Sequence, residues 1–503
     1  MNTSNFDSEF CGSLPLHYIN TIMPFGVVLI VAKEDLRIIQ ASENVQEYLN
    51  APVKVVVQSA LSDYYKDKDA NSLRQKLEEG IKTKGPQGIS FHYCEMNMLV
   101  HNHQDFYLVE LEFKREPEGP QLNGLQDVRD LMTALEPATT VQQVCDAAVA
   151  ELKRISQFDG IMMYRFDADW NGTVISENKS AGLEPYLGVT FPASDVPRQA
   201  RQLYLRNPYR LIPDRTYSPA KLYPVINPLS KSFTDLSSCH LRGVADVHLE
   251  YLHNMKVMAS MSLRVIHNDK LWGLISCNHT SAYPATFEQC SIFSLLSDVV
   301  SNKISSIINK EEYGFIAQLQ KDRNQIMERI YQPISLEEVL FNQDISISNL
   351  FHATGAVLYT NGSKKVSGQV PEALFLDDLL LWIQAKEIEQ VFATHNLVNI
   401  IEEAAKHSEI ASGMLVIPFG TSATDFIVLF RPEVVKTIEW GGNPHQAINF
   451  EEDGKAYHPR NSFKVWMETV NQTSQPWHEQ ELQIAATVRS FLLEHQSKNK
   501  QHN

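Results

Sequence analysis

Between Phe287 and Tyr331 the sequence contains no proline and one glycine, Gly314. Through this stretch apolar residues recur at Leu296, Val300, Ile304, Ile307, Phe315, Leu319 and Ile326, the spacing of one helix face. A continuous helix here would be about 65 to 70 Å long at 1.5 Å per residue. That exceeds an ordinary globular helix, so the segment reads as a connector between folded units or a surface on which two copies pair. A chain built around it cannot be a single globule.

Size agrees, since 503 residues are too many for one hydrophobic core and suggest about three domains. Apolar residues at 43% and charged residues at 21% describe a folded chain without extended disorder. The net charge of −16, from 44 basic and 60 acidic residues, disfavours non-specific binding to nucleic acid or anionic membranes. The longest clean apolar run near the N-terminus, Phe25 to Ala32, is far too short to span a bilayer, and a cytoplasmic location is expected. Six cysteines (Cys11, Cys94, Cys145, Cys239, Cys277, Cys290) lack CxxC or zinc-like spacing, which suggests neither a disulfide framework nor a structural metal. Cys11 stands apart because it lies in a polar, flexible-looking stretch where a thiol stays available for chemistry.

Strand-like runs from Phe25 and around Ile89 to Phe113, with a helical segment near Glu43 to Leu49, describe a mixed α/β unit ending in a Pro- and Gly-bearing linker, 114–123. A second unit opens with Thr140 as helix cap and Val141, Cys145, Ala148, Val149, Leu152 and Ile155 at helical spacing. Strands are expected at Gly160 to Phe166, Gly172 to Glu177, Met258 to Ile266 and Lys270 to Cys277. They enclose a long Pro- and Arg-rich insertion, about 185–257, and such loops are usually functional. The third unit ends as the second does, with a strand, a loop and a helix opening near a Glu-Gln pair, Glu288-Gln289 in one and Glu479-Gln480 in the other. An internal duplication is one reading of this. In the last helix Leu482, Ala485, Val488 and Leu492 form one face, and no catalytic output module is expected in this chain.

Within the insertion, Arg198, Arg201, Arg206, Arg210 and Arg215 stand against Asp214 alone. Guanidinium groups bind carboxylates in bidentate fashion, so these arginines form either a cradle for an acidic ligand or a solvated helix face. Before them, Pro192-Ala193-Ser194-Asp195-Val196-Pro197 is a proline-bracketed loop whose Asp195 is a site residue or a helix cap. Downstream, Leu241-Arg242 precedes His248-Leu249-Glu250-Tyr251-Leu252.

Taken together, the PASDVP loop, the segment Asp235-Leu236-Ser237 to Arg242, HLEYL followed by Asn254-Met255, and Leu271-Trp272-Gly273-Leu274 resemble the bilin-binding GAF domain of phytochromes. Cys11 with Pro15-Leu16-His17 and Ile22-Met23-Pro24-Phe25-Gly26 is similar to the N-terminus and PAS domain of bacteriophytochromes, with Phe25 where histidine is usual. Phe430-Arg431-Pro432-Glu433, Trp440-Gly441-Gly442-Asn443-Pro444 and Pro459-Arg460-Asn461-Ser462-Phe463 resemble the PHY domain and its tongue. The resemblance covers nearly the whole chain. It implies an α+β architecture of three consecutive PAS/GAF-like domains with central antiparallel sheets, joined by a long helix: 1–117 (N-terminal segment and PAS), 118–308 (GAF) and 309–503 (PHY, with the tongue at about 437–463).

The resemblance also implies a red/far-red photoreceptor. Val247 stands where plant and cyanobacterial members carry the attachment cysteine, so a thioether from Cys11 to biliverdin is implied; Cys239 and Cys277 are minor competitors. Tyr204, Arg210 and Arg242 are expected to engage the pigment's propionates, with Ser260 and Ser262 adding hydroxyls. His248 and the Asp195-Val196 backbone should lie at the central rings. Tyr164, Phe191 and Tyr251 should surround ring D, where Z/E isomerisation is expected, and Asn278 falls where a ring D histidine is usual, with His279 beside it. Ala245 and Asp246 also depart from the usual serine and proline. The tongue is expected to switch by exchanging an Asp195–Arg460 ion pair for a contact with Ser462. Expected partners are a second copy through the long helices and a downstream histidine kinase or response regulator; no nucleic acid, membrane or metal is expected. The alternatives are a pigment-free PAS/GAF sensor of a small molecule and, in another class, a thiol enzyme using Cys239 and His240.

Overall fold

A computed structural model describes residues 18–114, 122–420, 425–444, 449–450, 457–458 and 464–502. They form two compact units, Met1–Ile307 with Glu439–Trp466, and Ile308–Ile438 with Met467–Asn503.

The first unit contains two large sheets. In the N-terminal one, Val27–Ala32 lies between Ile38–Ser42 and Phe106–Phe113, and Glu95–Asn102 and Gln87–Ser90 follow outward, all antiparallel. Both faces are covered, which explains why Val27–Ala32 reads as a continuous apolar run. Val27, Leu29 and Val31 face a core closed by Leu73 and Leu77 of the helix Ala70–Thr83, while Val28 and Ile30 face Leu222, Leu236, Leu241 and Phe287 of the following domain. On the other edge the sheet gains Ala220–Tyr223, a piece of the long insertion, and then Thr21–Ile22. Ile22 bridges to Arg242, and Met23 N–H donates to the Leu241 carbonyl. The stretch 21–23 is therefore held between two parts of the insertion. Gly243 is required there, because a Cβ would collide with Thr21.

In the second sheet, five antiparallel strands follow the order Tyr209–Ile212, Ala259–His267, Lys270–His279, Gly160–Phe166 and Gly172–Lys179. Thr190–Phe191 extends it, and Trp440 pairs in parallel with Thr190. The helix Val141–Ser156 is capped as its sequence predicts: Thr140 Oγ1 accepts from Gln143 N–H and the Gln143 side chain returns to the Thr140 N–H.

The long helix is continuous over Phe287–Ile330. Leu296, Val300 and Ile304 are buried near its start, Leu319 and Ile326 near its end, and residues 310–314 between them are exposed. A helix anchored at both ends with a solvated middle suits a connector.

The second unit has a five-stranded antiparallel sheet in the order Ser363–Gly368, Gly355–Thr360, Phe426–Arg431, Gly413–Pro418 and Phe392–Thr394. One face packs on Ala485, Val488 and Leu492 of the helix Glu479–His502, the other on the helix Ala373–Ala385. The two five-stranded arrays share one strand order, with one departure from the sequence reading. The strand matching Lys270–His279 is Phe426–Arg431; the strand next to the last helix, Val465–Val470, belongs to the other sheet.

Candidate functional site

Strand register assembles the site. Arg210 stands opposite Ser262, Ser260 opposite Asn278, and Leu274 opposite Tyr164. Because side chains alternate, Arg210, Ser260, Ser262, Asn278 and Tyr164 share one face of the second sheet, while Leu211, Met261, Leu263, Ile275 and Cys277 fill the other. Ser260 Oγ donates to Asn278 Oδ1 at 3.4 Å. His279 faces away: Asp159 N–H donates to its Nδ1 at 3.2 Å, and its ring lies edge-on to Phe158. Asn278, not His279, is thus the residue on the site face.

The insertion supplies the opposing wall. Arg210 donates Nη1 to the His240 carbonyl at 3.0 Å and Nη2 to the carbonyls of Arg242 and Gly243 at 2.5 and 3.0 Å. Arg242 is 7% exposed, and among the described residues its guanidinium makes only long hydrogen bonds, 3.4 and 3.5 Å, to the carbonyls of Leu236 and Ser237. Burial, then the nearby Arg210 cation, holds the Arg242 guanidinium down to about 9, still charged at neutral pH. Tyr204, hydrogen-bonded to Ser262, lies beside both guanidiniums, and enclosure pushes its phenol up. Among the described residues neither Arg210 nor Arg242 forms an ion pair. Two enclosed cations with a phenol and hydroxyls beside them suit a ligand that brings carboxylates.

On the helix Asp246–Asn254, His248 and Tyr251 sit one turn apart with near-parallel rings, 5.9 Å between centroids. Tyr251 donates to Asp195 Oδ2 at 3.1 Å. The surrounding protein, then Arg210, keeps the His248 imidazole below its usual range and therefore neutral. Asp195 belongs to a turn closed by its own N–H on the Pro192 carbonyl, and the Val196 carbonyl accepts from Arg201 Nη1 at 2.7 Å. Tyr164 and Phe191 stand 5.7 Å apart, and a Cβ on Gly441 would lie 2.8 Å from the Phe191 ring, so the strand carrying Trp440 and Gly441 abuts this aromatic wall. The hairpin Asn449–Phe450/Tyr457–His458 follows, its second strand beside the helix of His248.

The five-arginine cradle needs correction. Only Arg210 joins the site. Arg201 stacks on Trp170 at 4.6 Å, Arg206 donates to Ser237 Oγ at 2.8 Å, and Arg215 donates to the Val257 carbonyl at 3.0 Å. A helix followed by a strand sends these side chains in different directions, and the second site cation, Arg242, comes from another segment. Cys11, Arg460 and Ser462 lie outside the described residues. A thiol enzyme finds no support at Cys239: its buried S–H donates to Glu110 Oε2 at 3.2 Å, and burial, then that carboxylate, pushes the thiol up. Among the described residues Cys239 and the His240 ring share no hydrogen bond, and His240 stacks on Tyr209. Cys277 is also buried with its thiol pushed up by burial.

Family models match in chain order: a PAS fold at residues 11–114, a GAF domain at 140–304 and a phytochrome region at 319–501. The phytochrome photosensory core module of Stigmatella aurantiaca aligns with a TM-score of 0.80 and 33% identity over 97% of this chain and 98% of that one. This chain belongs to the phytochrome family. A bacteriophytochrome from R. palustris gives a TM-score of 0.82 at 30% identity, covering 97% of this chain and 99% of that one. Cyanobacterial phytochrome B of Nostoc sp. is 33% identical over 499 residues, 97% of this chain and 66% of its own length. The bacteriophytochrome of Pseudomonas aeruginosa is 31% identical over 497 residues, 96% and 66% of the two lengths. The chain thus spans 66% of these curated relatives. Among the described residues no helix is long and apolar enough to cross a membrane.

Sequence reasoning missed Glu110 and Glu112. Glu110 is fully buried and accepts from the N–H groups of His240 and Leu241 at 3.0 and 2.7 Å; Glu112 accepts from Phe287 N–H, at the start of the long helix, at 2.8 Å. Two carboxylates inside the otherwise apolar strand Phe106–Phe113 were the available signal. Arg201, read from the sequence as part of the cradle, instead holds the Val196 carbonyl while stacked on Trp170.

Proposed function

We propose that this chain is the light-sensing region of a red/far-red phytochrome that holds biliverdin through a thioether at Cys11. The observation that carries the reading is the enclosed Arg210–Arg242 pair, which among the described residues has no carboxylate ion-paired to it and lies with Tyr204, Ser260 and Ser262; a pigment with two propionates fits this donor set. When bound, biliverdin supplies red absorption and Z/E isomerisation beside ring D. Arg242, with the freer guanidinium, and Tyr204 bind propionate; Arg210 uses three of its donors to fix the Arg242 segment. His248, Asp195 and Val196 orient the pyrrole nitrogens, with neutral His248 able to accept or donate a proton. Tyr164, Phe191, Tyr251 and Asn278 confine ring D. Phe191 against Gly441 joins that wall to the tongue, where Arg460 and Ser462 are the proposed alternative partners of the Asp195 side. Signals leave through the long helices, in a homodimer, to a histidine kinase or response regulator.

The test is to add biliverdin to the purified chain and record red-minus-far-red difference spectra. Reversible bands are expected, and the absence of any visible pigment band overturns the reading. Cys11→Ser should keep the pigment and lose its covalent attachment, read by zinc-induced fluorescence after denaturing electrophoresis; retained fluorescence moves the attachment elsewhere.

A further inference from the structure

The buried carboxylate of Glu110 is the centre of a cluster that pigment binding does not use. His101 pairs with Leu108 across the strands Glu95–Asn102 and Phe106–Phe113, which places Glu110 diagonally beside it on the same face. His101 Nε2 lies 2.6 Å from Glu110 Oε1. The insertion brings His240 to the same carboxylate, the two imidazole centroids being 5.7 Å apart.

We propose that His101, Glu110 and His240 form a binding site for one divalent first-row transition cation, with zinc the expected occupant. One ligand atom from each of the three falls within 4.8 Å of the others. Ligands around zinc at 2.0–2.2 Å stand about 3.3 Å apart, so closing the set takes about 1.5 Å at most, within reach of imidazole rotation. Two imidazoles and a carboxylate are the donor set that zinc accepts while keeping a fourth position open.

Two further observations point the same way. Among the described residues, Nδ1 of His240 is buried without a hydrogen-bond partner, an unused donor or acceptor on the ring that shares this cluster with Glu110. The surrounding groups also have the character of an outer shell: Tyr209 stacks on the His240 ring at 4.3 Å, while Leu241 N–H and Cys239 S–H hold the second oxygen of Glu110. Access is available on two sides. The His101 side chain is 18% exposed, and His240 lines a cleft with Phe25, Tyr209, Leu241 and Thr286.

The experiment uses the pigment-loaded chain, stripped with a chelator, dialysed and titrated calorimetrically with zinc chloride. One equivalent should bind and raise the thermal midpoint. Zinc-edge X-ray absorption should show a nitrogen and oxygen shell at about 2.0–2.1 Å with imidazole scattering. In His101→Gln the amide still donates to Glu110, so the fold and the pigment spectrum stay as in the parent, while zinc affinity falls at least about 10-fold and the thermal shift disappears. Three results overturn the site: no stoichiometric binding by the parent, a sulfur-dominated shell, or equal affinity in His101→Gln. The X-ray absorption result on the parent decides the matter even if the variant does not fold.

Discussion

In the GAF sheet, which begins at Gly160, and in the phytochrome-region sheet, which begins at Gly355, five strands lie in the order second, first, fifth, fourth, third. In both, a helix lies on the crossing from the second strand to the third. Between Ser363–Gly368 and Phe392–Thr394 that helix is Ala373–Ala385, whose Phe375, Leu376, Leu379, Leu380 and Ile383 are buried on the sheet. In the GAF domain it is Arg198–Arg206, which buries no side chain fully and offers the Tyr204 phenol, with Arg210 on the strand that follows. The same scaffold is closed as an apolar core in one case and lined with hydrogen-bond donors in the other. Topology therefore sets where a site can lie, and the chemistry of one crossover decides whether it exists.

Perturbing the two domains should separate stability from ligand affinity. The largest effect is expected from Arg431→Ala in the phytochrome region. Arg431 and Glu481 are 4% and 1% exposed with 2.6 Å between them, and removing one partner strands the other's charge at about 3–5 kcal/mol. Chemical denaturation should show this loss, with pigment uptake unchanged. Next, Leu379→Ala, at a site 1% exposed, should cost roughly 2–5 kcal/mol by leaving a cavity and should again spare the pigment.

On the first unit, acid should act through His240. Its imidazole, lowered to about 4, binds fewer protons folded than unfolded between that value and about 6.5. Its contribution to stability is therefore complete above about 6.5 and is lost as pH falls toward 4, by up to about 3 kcal/mol. Unfolding midpoints of parent and His240→Gln across that window should converge as pH falls; parallel curves would remove His240 as the sensor.

Arg242→Ala should reverse the pattern of the two phytochrome-region variants. Loss of an enclosed cation that has no ion-pair partner among the described residues leaves the pigment-free chain at least as stable, while biliverdin affinity drops by roughly 1.5–3 kcal/mol, the worth of a charged hydrogen bond. An affinity equal to the parent's would detach Arg242 from the site. Smallest is Asn278→His, which should change pigment affinity by less than about 1 kcal/mol yet alter band position or dark reversion. Unchanged spectra would take position 278 out of the pigment's contacts.

Much of this molecule is determined locally. Thr140 followed by Gln143, and the Phe287–Ile330 stretch free of proline, specify their helices through capping and periodicity, which act over a few residues. The strand Gly160–Phe166 is likewise set by its own sequence. Short motifs also marked Asp195, Arg242 and His248 before any contact was known. Tertiary structure alone decided that Ala220–Tyr223 joins the N-terminal sheet and that Glu110 meets His240 across 130 residues; for Arg210 and Asn278, already singled out by the family resemblance, it supplied the strand register that puts them on one face. These depend on register and on contacts between segments distant in sequence. The physical reason is that a one-residue shift reverses a strand's faces, and a buried charge is tolerable only where the fold brings its partners.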